Sequence, residues 1–312
     1  MSDDVFRGDP VPSIDDLESS ADVMTARESH GAARDDLDLA IAYAHTPWIE
    51  ERAASMARLM ARVKNEQLQT RGGGFLCHEE KCFNERMPNH LWSDIMWRWA
   101  LSTGATHALF LQDDVVIAPK FFSILHAMIC EPPARDRVVA LHLPSPRARD
   151  VFREGRTRWV ASRDGLVGFA YVMSRAKLEA FLEWKDTKLA ARAAERTSED
   201  SLIDAWALDA GEAILHPVPT IVDHDLELAS TYGNDRHTER RPLVTWRDVE
   251  VLEQPLDLTD PVTWRTTPVP IGRVFPKSHW VLRAVLADEQ RGRELAAGFE
   301  RMPHKESPWI YE

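Results

Sequence analysis

The chain has 312 residues, of which 44% are hydrophobic and 28% charged, the balance of an ordinary soluble globular protein. It lacks an apolar run near the roughly 20 residues that a transmembrane helix needs. Its three cysteines are an odd number and too few for a disulfide framework, which favours a reducing compartment. We therefore expect a cytoplasmic protein with no membrane span.

The net charge of −12 is concentrated at the start of the chain. Residues 1–38 hold eleven acidic residues against three arginines, a net of −8, so the other 274 residues carry only −4. An acidic segment with few large apolar side chains predicts a disordered N-terminal arm, which we place at residues 1–36. Because the rest of the chain is close to neutral, overall charge does not exclude a polyanionic partner.

The first predicted unit is a strand followed at once by a helix. Residues 37–45 form an apolar run typical of a buried strand. A helix is predicted from Pro47 to about Val63, with Thr46 as its N-cap. A buried strand joined to such a helix is the opening unit of a nucleotide-binding α/β sheet.

Strands and helices continue to alternate along the chain. Further strands are predicted at 75–77, 106–112, 138–143, 168–173, 213–216 and 219–222. Further helices are predicted at 91–102, 119–130, 174–184 and 198–209, and a hairpin at 147–164 turning at Glu154-Gly155. The helix at 91–102 is expected to place on one side Trp92, Ile95, Met96 and Trp99. This order predicts one α/β domain over residues 37–241, and the proline- and tryptophan-rich residues 242–312 predict a covering extension packed on it.

Two adjacent carboxylates, Asp113 and Asp114, follow the strand predicted at 106–112. Like charges side by side at a strand end are costly unless something positive neutralises them. A divalent cation, which prefers oxygen ligands, is one answer. The other answer is a solvated turn whose acids point to water, and this stretch alone does not decide between them.

Three features that follow one another in order resemble a known family. They are the strand ending Gln112-Asp113-Asp114, the helix beginning Ser198-Glu199-Asp200 and the strand ending Val222-Asp223-His224. Together with "AIAYAHTP" at 40–47 and "GLVGFAYVMSR" at 165–175, they resemble the GT-A class of nucleotide-sugar glycosyltransferases over roughly residues 38–240. The resemblance implies a GT-A-like, Rossmann-type mixed sheet flanked by helices. It also implies sugar transfer from a nucleotide diphosphate sugar to a hydroxyl acceptor.

The resemblance further implies a Mn²⁺ or Mg²⁺ ion that neutralises the departing diphosphate as a Lewis acid. Asp114 would coordinate this ion, His224 would complete its site, and Asp113 would face the ribose or donor sugar. His216 competes with His224 for the ligand role. The family often has an acid where this chain has Gln112, so we assign Gln112 no metal contact. A UDP-sugar is the default donor.

Asp200 is the candidate general base, and Glu199 would orient the acceptor or support Asp200. An inverting transferase needs one carboxylate opposite the leaving group to take the proton of the acceptor hydroxyl. A helix N-terminus suits this role because the helix dipole helps to keep the carboxylate ionised. The alternative is that both acids merely occupy the first turn of a helix capped by Ser198.

The resemblance places contacts with the nucleotide base and ribose at the end of the first strand, at Tyr43, His45 and Thr46. Arg52, one turn into the helix, reaches a phosphate or is a surface charge. A cluster of basic residues farther along the chain has two interpretations. It either binds the diphosphate or forms a solvated loop. Its members are Arg236, His237, Arg240 and Arg241.

The acceptor is suggested only by charge. Residues 147–163 carry a net charge of +4, so this segment is either a well-hydrated hairpin or a surface for phosphates of nucleic acid, glycan or lipid. Compact GT-A enzymes resembling the base J glucosyltransferase act on hydroxymethylated pyrimidines in DNA, including in phages. The predicted acceptors are therefore such a pyrimidine in DNA, a glycan or a small molecule.

Two other functions compete with the transferase. A nucleotidyltransferase also uses acidic residues and a metal, but the triple glycine at 72–74 is not followed by a clear helix of the kind that binds phosphate. A non-catalytic nucleotide-sugar or glycan-binding protein would need the same fold without turnover. Cys77, His78 and Cys82 lack a fourth ligand, so a structural zinc site is not predicted.

Overall fold

The computed structural model describes residues 37–69, 75–85, 89–130, 132–162, 168–189, 198–225, 227–228 and 242–272. Its strands are β1 (Leu37–Ala44), β2 (Phe75–Phe83), β3 (His107–Gln112), β4 (Val115–Ile117), β5 (Val138–Ala140), β6 (Arg158–Ser162), β7 (Ala170–Ser174), β8 (Ile214–Val218), β9 (Val222–His224) and β10 (Val269–Gly272). Its helices are α1 (Glu50–Gln69), α2 (Asn89–Ser102), α3 (Phe121–Ile129), α4 (Arg147–Gly155), α5 (Arg175–Lys188), α6 (Glu199–Ala210) and α7 (Trp246–Glu250). A short 3₁₀ helix spans Pro261–Trp264.

The main sheet is mixed, which confirms the predicted α/β fold class. Its strand order is β10-β6-β8-β5-β7-β3-β1-β2. β1 runs parallel to both β2 and β3, whereas β7 runs antiparallel to β3 and β5. β4 and β9 form a separate antiparallel ladder that pairs Val115 with His224.

Helices cover both faces of the sheet because its strands are apolar on both sides. In β1, Ile41 and Tyr43 pack into a core shared with α1 and α3, while Ala42 and Ala44 pack into a second core with α2, α5 and α6. The alternation follows from the two-residue period of a strand. A sheet buried on both faces explains why the strands are nearly continuous apolar runs.

One edge of the sheet collects the segments that carry the candidate site residues. β1 and β3 end together, with Ala44 opposite Gln112. The antiparallel β7 begins at the same edge, with Ala170 opposite Leu111. Ligands of open α/β sheets bind outside the carboxyl ends of the strands, so this edge is where a functional site is expected.

The predicted hairpin at 147–164 is wrong in its first half. Residues Arg147–Gly155 form helix α4, and only Arg158–Ser162 are a strand. Ala148 and Val151 are buried three residues apart, which is the spacing of one helix face. The stripe consists of only two residues, Ala148 and Val151, among many charged ones, so the helical pattern is weak in the sequence.

Two smaller expectations about helices are also wrong. Thr46 does not cap a helix, because α1 begins at Glu50 and the Thr46 hydroxyl donates to Asp113. In α2, Ile95 is 43% exposed, whereas Trp97 is fully buried. Trp97 faces the sheet because its indole N–H donates a hydrogen bond to Tyr171 on that sheet.

The described part of the C-terminal segment packs on the sheet. β10 pairs with β6, and Trp264 is buried against Trp159 with ring centroids 5.6 Å apart. The predicted boundary at residue 242 stays a prediction, and residues 1–36 and 273–312 lie outside the described residues. Among the helices that the structure describes, none combines the length and apolar character needed to cross a membrane.

Candidate functional site

Asp113, at the end of β3, accepts hydrogen bonds from the turn after β1. Its Oδ2 atom accepts hydrogen bonds from the backbone N–H and the hydroxyl of Thr46, at 2.7 and 2.6 Å, and lies 3.3 Å from His45 Nδ1. Its Oδ1 atom accepts from Arg52. With 1% of its surface exposed, Asp113 is a buried carboxylate whose charge and lone pairs are satisfied by the protein.

Arg52 supplies the positive charge that the two aspartates require. One guanidinium nitrogen donates to Asp113, and Nη2 donates to Asp114 Oδ2 at 3.2 Å. Arg52 is only 4% exposed, which excludes its interpretation as a surface charge. The three side chains together carry a net charge of −1, so the site still favours a cation.

Asp114 and His224 face each other across the small β4–β9 ladder. His224 Nε2 lies 3.3 Å from Asp114 Oδ2. Burial acts to raise the pKa of Asp114, but the hydrogen bond and charge of His224 and the charge of Arg52 outweigh it and hold that pKa below its usual value. The other carboxylate oxygen, Oδ1, is buried and has no hydrogen-bond partner within the described ranges.

This pair fits a divalent cation only as part of a larger ligand set. A carboxylate and an imidazole suit Mn²⁺, and the Oδ1 atom of Asp114 has lone pairs available. However, the described residues contain no group of three His, Cys, Asp or Glu side chains placed to hold a metal. Mg²⁺-type sites often take one or two carboxylates and complete their shell with water and substrate phosphates. The remaining ligands would therefore come from a diphosphate and water.

Glu199 and Asp200 begin helix α6, but their surroundings differ. Glu199 is 5% exposed and accepts hydrogen bonds from Tyr171 at 2.7 Å and Ser93 at 3.1 Å. Burial raises the pKa of Glu199 to about 7 despite the hydrogen bond from Tyr171, and the charge of Asp200 adds to the rise. Asp200 is half-buried, and its Oδ1 accepts from the backbone N–H of Ser201 at 2.8 Å.

Gly168 connects the two acidic pairs. Its carbonyl oxygen accepts a hydrogen bond from Gln112 Nε2 at 3.1 Å, and Gln112 directly precedes Asp113 in the chain. A Cβ atom placed on Gly168 would lie 3.4 Å from Glu199 Cγ and 3.6 Å from Asp200 Cβ. The ends of β3 and α6 therefore border the same backbone segment at one edge of the sheet.

Other candidate residues have different positions. Tyr43 is fully buried, and its hydroxyl donates to Glu80 at 3.1 Å, so its nucleotide contact stays a prediction. Arg236 and Arg240 lie outside the described residues. His216 is buried, with its ring nitrogens 2.9 Å from Ser162 Oγ and 3.0 Å from the His142 carbonyl oxygen. Burial lowers the pKa of His216 to about 4, which keeps this residue a neutral part of the core.

The sequence did not reveal the residues that hold Glu199. Tyr171 lies within a buried strand, while Ser93 and Trp97 lie on α2, far away in sequence. A lone tyrosine in a strand of small and aliphatic residues is the one signal that could have drawn attention.

Comparison with known proteins gives structural likeness alone. No protein-family model and no curated protein matches the chain. Among solved structures, it is similar to a Drosophila β1,4-galactosyltransferase 7 mutant in complex with manganese, UDP-Gal and xylobiose. The identity is 10% and the TM-score 0.37, over 66% of this chain and 75% of that one. It is also similar to the catalytic domain of the same enzyme with xylobiose, at 10% identity and a TM-score of 0.39, over 72% and 83%. Both TM-scores lie below 0.5.

Proposed function

We propose that this protein is a metal-dependent, inverting glycosyltransferase of the GT-A type. It would move a sugar from a nucleotide diphosphate sugar, by default a UDP-sugar, to a hydroxyl acceptor. The observation that carries the proposal is the meeting of two acidic pairs at one sheet edge. Gln112, the residue before Asp113 and Asp114, donates to the Gly168 carbonyl oxygen, and Glu199 and Asp200 border the same glycine.

In this proposal, the donor binds at the ends of β1 and β3. Asp114 and His224 would hold a Mn²⁺ or Mg²⁺ ion, which supplies charge neutralisation for the departing diphosphate. Thr46 and His45 lie at the rim of this site, held by Asp113, and are placed to contact the nucleotide. Arg52 offsets part of the acidic charge and orients both aspartates.

The acceptor is proposed to lie near the start of α6. Asp200 is the general base, because it is half-buried and stands at a helix N-terminus that favours its ionised form. Glu199 is deeper, and both its oxygens accept protein hydrogen bonds, so we assign it to positioning rather than to proton removal. The acceptor's chemical class is a hydroxyl compound, and a glycan is the form we propose first.

A nucleic acid acceptor has little to support it. The arginines exposed on α4 and just after it are Arg147, Arg149, Arg153 and Arg156, and the same helix carries Asp150 and Glu154. Arg153 lies 3.4 Å from Asp150, so part of the basic charge is neutralised within the helix. An acceptor screen should include hydroxymethylated DNA beside oligosaccharides, and turnover on DNA alone would overturn the preference for a glycan.

One observation favours a non-catalytic nucleotide-sugar-binding protein as a second candidate. Arg52 already neutralises both aspartates in part, so the site does not need a metal to be stable. Such a protein would bind a nucleotide sugar without releasing nucleoside diphosphate. A nucleotidyltransferase, in contrast, would release or consume pyrophosphate, so product analysis separates all three.

The decisive variant is Asp200→Asn. It keeps the side-chain shape and removes the base, so turnover should fall on the order of 100-fold or more while donor binding stays nearly intact. Nucleoside diphosphate release and donor titration measure the two quantities. Asp209→Asn is a matched control, since Asp209 lies on the same helix and contacts Lys188 and Trp184. Wild-type turnover in Asp200→Asn would exclude Asp200 as the base.

A further inference from the structure

Two hydroxyl groups from different elements hold the carboxyl group of Glu199. Tyr171 on β7 donates to Oε1 at 2.7 Å, and Ser93 on α2 donates to Oε2 at 3.1 Å. Tyr171 is fully buried and Ser93 is 1% exposed, so neither hydrogen bond competes with bulk water. The carboxyl group therefore has one orientation relative to both the sheet and α2.

The donor Tyr171 is itself held in place. The indole N–H of Trp97 donates to the Tyr171 oxygen at 2.9 Å, and the Tyr171 ring stacks on Phe110 with centroids 4.7 Å apart. Because the oxygen accepts from Trp97, its own proton is directed at Glu199. A buried chain of hydrogen bonds in which each member has its partner rigidifies the groups that it joins.

The N-terminus of α6 lacks the side-chain hydrogen bond that an N-cap residue usually makes. Ser198 occupies the N-cap position but makes no side-chain capping hydrogen bond to the backbone, and its hydroxyl donates instead to Ser201 Oγ at 2.8 Å. Apart from the Ser201 N–H bond to Asp200 Oδ1, side-chain support of the first turn comes from what Glu199 contacts. The contacts of Glu199 come from β7 and α2.

We propose that Tyr171 and Ser93 form a two-hydroxyl clamp that positions Glu199 and, through it, the first turn of α6 that carries Asp200. Tyr171, Ser93 and Glu199 are positioning residues in this account, and Trp97 sets the direction of the Tyr171 hydroxyl. The assignment of Asp200 as the group served by the clamp rests on the proposed function. The clamp itself is a property of the protein without ligand.

Burial of a carboxyl group here is costly, which argues for a role beyond stability. An apolar residue of similar size would avoid the desolvation of Glu199 and of its two hydroxyl partners. The titratable groups facing Glu199 in the described residues are Tyr171 on β7 and Asp200 on its own helix. A buried acid with a perturbed pKa is typical of functional sites.

The test uses the full chain labelled with ¹³C at the glutamate side-chain carboxyl carbon, with the Glu199 signal assigned from Glu199→Gln. Tyr171→Phe keeps the stacked ring and removes the donor, so the titration midpoint of Glu199 should move upward. Ser93→Ala should move it in the same direction through the other oxygen. Amide hydrogen exchange at residues 201–203 should accelerate in both variants, because the first turn of α6 loses its anchor.

Tyr43→Phe is the matched control. It removes another hydroxyl from a fully buried tyrosine, but that hydroxyl serves Glu80. The Glu199 midpoint and the exchange of α6 should stay at their wild-type values. If Tyr171→Phe folds and leaves both quantities unchanged, the clamp is overturned; if it does not fold, Ser93→Ala decides by the same two readouts.

Kinetics then test the link to Asp200. With the nucleotide sugar that the wild type turns over, Tyr171→Phe should lower kcat at least 10-fold and leave the KM of the donor unchanged, as loss of positioning predicts. An unchanged kcat would overturn the role of the clamp in placing Asp200. Absence of turnover in the wild type would instead overturn the proposed function, and the titration and exchange results would still decide the clamp.

Discussion

At the scale of single residues, Asp113 and Asp114 are neighbours in sequence with different surroundings. Asp113 accepts hydrogen bonds from Thr46 and Arg52 and lies beside His45, whereas one oxygen of Asp114 has no partner in the described part of the chain. The first aspartate therefore makes the protein contacts, and we propose that the second binds a ligand. Substitutions that preserve shape separate these two roles.

Asp113→Asn should destabilise the fold, and Asp114→Asn should chiefly weaken metal-dependent binding. Loss of the Asp113 charge leaves buried Arg52 with one carboxylate, and the new amide donor takes the place of an acceptor for either Arg52 or Thr46, at a cost of about 3 kcal/mol. Urea unfolding measures this cost, and nucleotide titration with and without Mn²⁺ measures the effect of Asp114→Asn. Equal effects of both substitutions on stability and on binding would contradict the division of roles.

Glu199 makes the free energy of unfolding depend on pH. Its pKa of about 7 in the folded protein lies above the ordinary value of 4.5, so the folded state binds more protons than the unfolded state between these values. Its contribution to stability is therefore present below pH 4.5 and is lost as pH rises to 7. The Glu199→Gln variant has no titrating group at this position. Its free energy of unfolding should therefore rise by about 3 kcal/mol relative to that of the wild type as the pH is raised from 4 to 8.

Denaturant unfolding at several pH values measures that difference. Glu179→Gln is the matched control, because Glu179 is half-exposed and paired with Arg175 on the surface of α5. Its stability relative to the wild type should change little over the same range. A difference for Glu199→Gln that does not vary with pH would contradict the raised pKa.

At the scale of elements, the segment after α7 holds one end of the sheet. Trp264 contacts Trp159, its indole N–H donates to the Leu258 carbonyl oxygen, and its own carbonyl oxygen accepts from Trp159. Trp264→Ala should lower the free energy of unfolding by about 3–5 kcal/mol, the usual cost of emptying a buried tryptophan site. Trp48→Ala, at a side chain 47% exposed, should cost within about 0.5 kcal/mol. Denaturant titration compares them, and similar losses would contradict the packing role of Trp264.

The sequence predicted most elements because their patterns are local. The buried strands at β1, β3 and β7 are continuous apolar runs, and Ser174 accepts from the Lys177 N–H as the predicted cap of α5. The failures at Thr46 and in α2 have nonlocal causes, whereas the missed helix α4 has a local apolar stripe. Thr46 has the composition of a helix cap, but Asp113, 67 residues away, takes its hydroxyl.

The sequence predicted strand and helix ends that the structure brings together, but not the contacts between them, and the roles of the site residues stay predictions. The predicted strand and helix ends carry the candidate residues Asp113, Asp114, His224, Glu199 and Asp200. In the structure, these ends lie at one edge of the sheet. No spacing rule could have shown that Arg52 bridges the two aspartates. The partners of Glu199 likewise depend on packing between α2, β7 and α6, which only the fold defines.

At the scale of the whole molecule, the described residues form two large cores that share the sheet and a smaller third core with members on β6, β8 and β10. α1 and α3 close one face, and α2, α5 and α6 close the other. The first core includes α1, which carries Arg52, and the second includes α6, which carries Glu199 and Asp200. The strand end that leads to Asp113 and Asp114 and the helix start that carries Glu199 and Asp200 both border Gly168.

The measurement that tests the central claim most directly is a thermal-shift panel of nucleoside diphosphates and nucleotide sugars, each with and without Mn²⁺. A ligand at 100 times its dissociation constant adds about 2.7 kcal/mol to stability, which is readily seen as a raised midpoint. We predict a shift with one nucleotide that requires Mn²⁺ and is lost in Asp114→Ala. No shift with any nucleotide, or a shift that is the same without metal, would contradict a metal-dependent nucleotide-sugar site at this edge.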